Sequence, residues 1–167
     1  MMEPVSEPDP AWRLVRLDVA GSALFTGAMA VAVPLRDQRV AQVGIAAVSL
    51  ALFAVGVAAG LWAYTSALER SRAEEVGVAN LFLLTGPTAP RAVKRRMSLA
   101  LAVQVVVALV GASIGAGGLQ QGQLNALAFG VLVPMFGIGM NGLWAAHYGS
   151  FGPRVLAAVR PDNRKIE

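Results

Sequence analysis

Few side chains in this chain could carry out chemistry. The 167 residues include no cysteine and one histidine, His147, which excludes thiolate metal sites, cysteine nucleophiles and multi-histidine metal centres within one chain. Ser22, Ser49 and Ser113 lie in long apolar runs, and no histidine lies at a matching depth to activate them as nucleophiles. His147 stands beside Tyr148 after the last apolar run, where we expect it to contact a lipid headgroup or the backbone. The residues therefore predict a protein that is not an enzyme and holds no cofactor or metal.

Two amide side chains, Gln104 and Asn141, lie within or close to the middle of apolar runs. Each needs a hydrogen-bond partner, most simply on a neighbouring helix, which contributes roughly 0.6–2 kcal/mol. A polar path for a substrate is the alternative interpretation. We expect no Asp, Glu, Lys or Arg within any membrane span, and this argues against a proton relay or a buried ion pair.

The composition places these groups in a membrane. Charged residues make up 14% of the chain, against about 25% in an ordinary soluble domain. The hydrophobic fraction is 56% before the 18 glycines are added, and the mean hydropathy is +0.58. The net charge of +4 comes without aromatic residues among the basic ones, which favours a basic side of a membrane protein over a nucleic-acid surface. We therefore expect an integral protein of a lipid bilayer with no nucleic-acid partner.

Long stretches without charge locate the spans. The run 97–153 is roughly twice or more the length of about 20 residues that one spanning helix needs, so it must contain a turn, which the Gly- and Gln-rich segment 115–123 supplies. The expected fold class is all-α: a polytopic membrane protein with four transmembrane helices in two hairpins. The expected spans are about 17–35, 41–68, 97–117 and 124–146, in a transmembrane domain 19–146 that follows a cytoplasmic tail 1–18, includes a cytoplasmic loop 69–96 and precedes a basic cytoplasmic tail 147–167.

Basic residues are distributed unevenly about these spans. Twelve of the fourteen Lys and Arg residues fall in the two tails and the 69–96 loop, and two, Arg36 and Arg39, fall on the opposite side. Short loops rich in Lys and Arg stay in the cytoplasm, so we expect a multi-pass protein of a bacterial plasma membrane with both termini cytoplasmic. Arg13 and Arg16 before an apolar run also fit a cleaved signal peptide, but we expect the segment to be retained.

A four-residue repeat suggests that the two hairpins are related. Gly60-Leu61-Trp62-Ala63 recurs as Gly142-Leu143-Trp144-Ala145, at an offset of 82 residues that also places 19–35 on 101–117. A tandem duplication would give two copies of the same topology, related by an axis along the membrane normal. Coincidence, together with a shared need for tryptophan at the interface, is the alternative.

Glycines four residues apart predict close helix packing. Gly56 and Gly60 in the second span, and Gly111 and Gly115 in the third, would let helix backbones approach and gain dispersion contacts. We expect these faces to pack inside the bundle, with contact to another chain as the alternative. Pro134, which has glycines around it, predicts a bend in the fourth span.

The 69–96 loop contains an apolar stripe and a basic cluster. Val78, Leu81, Phe82 and Leu84 form a stripe too short to span, which must dock on the membrane surface, on the chain's own helix ends or on a partner protein. A group of cations follows at the start of the third span, where it anchors the topology and binds anionic lipid headgroups at about 1 kcal/mol per residue. This group consists of Arg91, Lys94, Arg95 and Arg96.

An Ala-, Val-, Gly-, Leu- and Arg-rich composition, a Pro/Glu/Asp tail at the N-terminus and four short-looped spans resemble the small uncharacterised four-span membrane proteins of high-GC actinobacteria. The resemblance implies a bacterial plasma membrane and no particular activity. Four-helix small multidrug transporters are similar in size, but they depend on a glutamate within the first span. The run 19–35 has no glutamate, which counts against that family.

Two functions fit these features. The first is a non-catalytic accessory or assembly subunit of a larger membrane complex, favoured by spans without ionisable groups, by the glycine faces and by the docking stripe. The second is a small homo-oligomeric transporter, channel or lipid-handling protein, favoured by the repeated hairpin, by Gln104 and Asn141 and by the bent fourth span. The expected partners are therefore lipids and either other membrane proteins or further copies of this chain.

Overall fold

The computed structural model describes residues 9–116 and 126–154. Four helical segments in these ranges are long and apolar enough to cross a membrane, and no strand is found there. The expected all-α class with four candidate spans is confirmed. The elements are α1 (Pro10–Ala32), α2 (Arg39–Arg70), α3 (Val78–Leu83), α4 (Arg91–Ala116), a 3₁₀ segment (Ala126–Leu132) and α5 (Pro134–Tyr148). The 3₁₀ segment and α5 together form the fourth span, and the expected Gly- and Gln-rich turn lies almost wholly outside the described residues.

The first helix begins earlier than the charge pattern predicts. The Asp9 carboxylate accepts a hydrogen bond from the Ala11 amide (Oδ1···N 3.0 Å), and Pro10 occupies the first turn, where its missing N–H leaves no helical bond unmade. The expected tail 1–18 is therefore helical from Pro10 onwards. As a result, Asp18 lies inside α1 rather than before it.

Pro134 divides the fourth span into two pieces. The 3₁₀ segment ends at Leu132, and α5 starts at Pro134, where proline is favoured because it has no N–H to leave unpaired. The expected bend is thus a break between two kinds of helix. Amide groups in the first turn of a helix lack intrahelical acceptors, and within a membrane they need partners from the protein.

Glycines bring α2 and α5 into direct backbone contact. A methyl group added at Gly56 would lie 2.5 Å from both the Met135 carbonyl oxygen and the Phe136 amide nitrogen, and one added at Gly139 would overlap the Gly56 backbone. The Cα atom of Gly139 also lies 3.8 Å from the position of a methyl group at Gly60. The two helices run parallel, and the glycine face of α2 packs inside the bundle.

The third span, α4, packs against α1 at Gly111. A methyl group added at Gly111 would lie 2.6 Å from the Met29 sulfur, so the methionine fills the space that the missing side chain leaves. Gly115, one turn further along α4, is half-buried. Burial of Phe25 and Met29 on α1 also shows that this helix is part of the bundle core.

The short helix α3 folds back on α5, which corrects one possible interpretation of the apolar stripe. Leu81 and Leu84 are 2% and 0% exposed, and the Phe82 ring would meet a methyl group added at Gly142 at 2.7 Å. These side chains are covered by the chain's own helices and are not free to dock on a partner protein. Val78, by contrast, is 73% exposed.

Arg70 ties the end of α2 to the end of α5. Its guanidinium donates to the carbonyl oxygens of Ala146 and Gly149, both at 3.0 Å, and pairs with Glu74 (N···O 2.8 Å). Carbonyl groups in the last turn of a helix lack intrahelical donors, so Arg70 caps α5 from a neighbouring helix. We call this side of the molecule, where α1 and α4 begin and α2 and α5 end, the α3 end.

Candidate functional site

Asp18 lies within the membrane-spanning part of α1. It follows Trp12 by six residues, or about 9 Å along the helix axis, and the Arg96 guanidinium lies over the Trp12 ring at 4.9 Å. Trp and Arg favour the headgroup level, so Asp18 lies deeper than this level within the candidate span Pro10–Ala32. The expectation that no ionisable residue lies within a span is therefore wrong.

The Asp18 side chain is fully enclosed by protein, at 0% exposure. The Gln104 amide lies beside the carboxyl, yet neither carboxyl oxygen has a hydrogen-bond partner of ordinary geometry among the described residues. Burial of a polar group without a partner is unfavourable, and burial of an unpaired charge is far more so. Acidic residues at such positions in membrane proteins mark ion pathways and proton relays, so Asp18 is the centre of the candidate site.

A hydrogen-bonded chain next to Asp18 joins three helices. Gln104 in α4 donates from Nε2 to the Ser22 hydroxyl (2.7 Å), and that hydroxyl donates to the Asp18 backbone carbonyl (2.8 Å). The Gln104 Oε1 atom accepts from the Gly137 amide (3.2 Å) in the first turn of α5. Gln104 thus supplies a partner to the broken fourth span, as a neighbouring side chain must do inside a membrane.

Gly137 makes room for this contact. A methyl group added at Gly137 would lie 2.7 Å from Gln104 Oε1, closer than an alkyl carbon can approach an oxygen. A larger residue there would therefore push the Gln104 amide away from the α5 backbone. We call Asp18, Ser22, Gln104 and Gly137 the polar cluster.

An open groove of about 640 Å³ between α1 and α4 reaches the polar cluster from the lipid side. Ser22 and Thr26 line it, and Arg96 stands among its residues at the α3 end. Asp18, Ser22 and Thr26 follow at four-residue intervals, so their side chains lie one above the other along α1. Thr26 continues the hydrogen-bonding series by donating to the Ser22 carbonyl (2.8 Å). The walls are otherwise mostly apolar: Val19, Ala23, Leu99, Ala100 and Val103.

The structure separates the two amides that the sequence singles out. Gln104 belongs to the polar cluster, whereas Asn141 donates from Nδ2 to the Phe82 carbonyl of α3 (3.1 Å) and so fixes α3 to α5. The Asn141 Oδ1 atom and the Ser49 hydroxyl are buried without a partner in the described part of the chain. Ser113 is exposed and donates to its own helix, which removes it from the candidates.

The remaining predicted site residues lie at the α3 end. Arg91, Arg95 and Arg96 are exposed and Lys94 is half-buried at the start of α4. The His147 Nδ1 atom lies 2.9 Å from the Leu143 carbonyl oxygen of its own helix.

The charge pattern does not reveal Asp18 as a functional candidate, because an acid at this position also fits the end of a polar N-terminal tail. Two signals in the sequence point to it. Asp9-Pro10 is a typical helix start, which places Asp18 two turns inside a helix, and Ser22 follows four residues later on the same face.

No protein-family model matches this chain, and neither a curated protein nor a solved structure is significantly similar to it.

Proposed function

We propose that this chain is a small membrane transporter that moves protons across the bilayer, alone or with a co-transported solute, and that Asp18 carries the proton. The observation that supports this most directly is the fully buried Asp18 carboxyl, whose oxygens have no hydrogen-bond partner among the described residues. A carboxyl group takes up and releases a proton without another reactant, and intramembrane carboxyls serve this purpose in pumps and transporters. The activity is therefore not enzymatic.

The surroundings of Asp18 support transport over a purely structural role. The Ser22 and Thr26 hydroxyls follow the carboxyl along α1. Both line the groove between α1 and α4, which also contains Arg96 at the α3 end. The fourth span is broken beside the polar cluster, and broken spans surround the binding sites of many transporters.

A proton-flux measurement tests this function. The purified protein is reconstituted in lipid vesicles that contain a pH-sensitive dye, and a potassium diffusion potential drives protons inward. We expect wild-type protein to raise the flux above that of empty vesicles and Asp18→Asn to return it to that background. Asp37→Asn is the matched control, because it makes the same change at an exposed acid between α1 and α2.

Two results would overturn the proposal. One is a wild-type flux equal to that of empty vesicles, and the other is an Asp18→Asn flux equal to that of wild type. Circular dichroism and gel filtration of each variant in detergent show whether a lost flux reflects lost folding.

We further propose that the protein lies in a bacterial plasma membrane with the α3 end in the cytoplasm. Basic residues support this orientation: nine described ones lie at the α3 end, and Arg36 and Arg39 lie between α1 and α2. Trp62, Tyr64 and Tyr148 are substantially exposed towards the same end, as amphipathic rings at a headgroup layer are.

A role as an accessory or assembly subunit is the second candidate. A groove of about 430 Å³ lies between α1 and α2, and methyl groups added at Gly27 and Gly44 on its walls would have no neighbour within 4 Å. Outward-facing small residues of this kind let a helix from another chain approach closely.

Purification in mild detergent distinguishes the two candidates. Other proteins in a fixed ratio, lost on Gly44→Leu but kept on Ala51→Leu at an exposed position outside the groove, would support the accessory role. A symmetric oligomer of this chain would support the transporter. A monomer that binds no other protein would count against the accessory role.

A further inference from the structure

A separate groove of about 700 Å³ lies where α1, α2 and α5 meet at the α3 end. Its deeper walls are apolar: Leu14 and Leu17 of α1, Ala58 of α2, and Met140 and Leu143 of α5. The small Ala58 side chain keeps the space between the helices open. The groove runs for about 10 Å along α1, since its lining extends from Pro10 to Leu17.

The outer end of this groove differs in chemistry from its walls. Arg13 of α1 and His147 and Tyr148 of α5 line it, and Trp62 stands one level deeper with 65% of its surface exposed. A cation, an imidazole and a phenol at one end of an apolar channel match a ligand with an anionic head and a hydrocarbon tail. Arginine recognises phosphate oxygens through charge-assisted hydrogen bonds.

We propose that this groove is a binding site for an anionic phospholipid of the leaflet at the α3 end. The phosphate lies against Arg13, His147 and Tyr148, and one acyl chain lies in the apolar part between Leu17 and Ala58. Charge complementarity at the outer end and depth along the helices together support an anionic lipid as the occupant of this groove. The site is independent of Asp18 and of the basic cluster on α4.

Lipid binding is measured by native mass spectrometry of delipidated protein in detergent. The probes are phosphatidylglycerol, phosphatidylcholine and inorganic phosphate. We expect phosphatidylglycerol to bind at least several-fold more tightly than phosphatidylcholine, because the zwitterionic head brings no net negative charge to Arg13. Inorganic phosphate should bind far more weakly, because it has no chain to fill the groove.

Paired variants test the two halves of the site. Arg13→Gln should weaken phosphatidylglycerol binding about fivefold, the factor that corresponds to one basic residue near an anionic surface. Arg16→Gln, on the next turn, exposed and outside the groove, should leave the binding unchanged. Ala58→Phe should abolish tight binding by filling the channel. Ala54→Phe, at an exposed α2 position outside the groove, is its control.

Three results would overturn the site. Equal losses from Arg13→Gln and Arg16→Gln would mean general surface charge, unchanged binding by Ala58→Phe would mean that no chain enters the groove, and phosphate binding as tight as that of the lipid would mean a free-anion site. Asp18→Asn should bind lipid as wild type does, so failure of this proposal and failure of the proton-transport proposal give different results.

Discussion

Ser22 and Gln104 lie 82 positions apart, and the Gln104 amide donates a 2.7 Å hydrogen bond to the Ser22 hydroxyl across α1 and α4. The same offset relates the two Gly-Leu-Trp-Ala segments, and it also relates Met29 to Gly111, which pack against each other. Equivalent positions of two copies meet in this way when an axis along the membrane normal relates the copies. The polar cluster therefore lies where a duplicated hairpin would bring its two halves together.

Gln104→Leu should destabilise the bundle by about 1–2 kcal/mol, because the Ser22 hydroxyl and the Gly137 amide each lose a buried partner. Unfolding in mixed detergent micelles, followed by tryptophan fluorescence, measures the change. Ser113→Ala is the control, since this exposed hydroxyl bonds only to its own helix, and its effect should stay within about 0.5 kcal/mol. Equal effects would mean that the polar cluster contributes no stability.

Gly56→Leu should prevent close packing of α2 on α5, because even one methyl group there would overlap the Met135 and Phe136 backbone. We expect destabilisation of at least about 3 kcal/mol, read from the same unfolding measurement. Gly44→Leu on the same helix adds the same side chain into open space and should leave the monomer stable. Equal unfolding free energies for the two variants would show that close packing of α2 on α5 does not stabilise the bundle.

The apolar stripe should behave as core rather than as a partner surface. Leu81→Ala should cost about 2–4 kcal/mol, because it opens a cavity at a side chain that is 2% exposed, whereas Val78→Ala, at a largely exposed position, should cost less than about 1 kcal/mol. Thermal unfolding in detergent distinguishes these outcomes. A stable Leu81→Ala protein would show that α3 is not anchored as described.

Arg70→Gln should loosen the end of α5, since the Ala146 and Gly149 carbonyls lose their donor. Arg70→Lys should not restore stability, because an ammonium group cannot present the two parallel N–H groups of the guanidinium. We expect a loss of about 1–3 kcal/mol and faster hydrogen exchange in the last turn of α5. Arg72→Gln, at an exposed neighbouring position, is the control and should resemble wild type.

Single cysteines in this cysteine-free chain test the orientation. In intact cells, an impermeant thiol reagent should label Gln38→Cys between α1 and α2 and should not label Ala73→Cys at the α3 end, because the basic residues concentrate there. Both positions are exposed, so permeabilised cells should label both equally. Labelling of Ala73→Cys in intact cells would reverse the topology.

Composition and charge spacing were sufficient to predict an all-α membrane protein with four spans. This succeeds because the cost of placing charge or unpaired backbone in hydrocarbon acts on each segment by itself. The same local rules predicted the glycine face at Gly56 and the interruption at Pro134. They also predicted that Gln104 would bond across helices, although not to which atoms.

Tertiary structure decided what local patterns could not. From the sequence alone, Asp18 fits the last charged residue of a tail. In the structure, the Asp9 cap and the packing of α1 place it inside the bundle beside Gln104. The sequence likewise predicts an exposed apolar surface at Leu81, whereas the structure buries it because α3 folds onto α5. In both cases the deciding quantity is burial by residues that are distant in sequence, and a side chain's own type and neighbours do not contain that information.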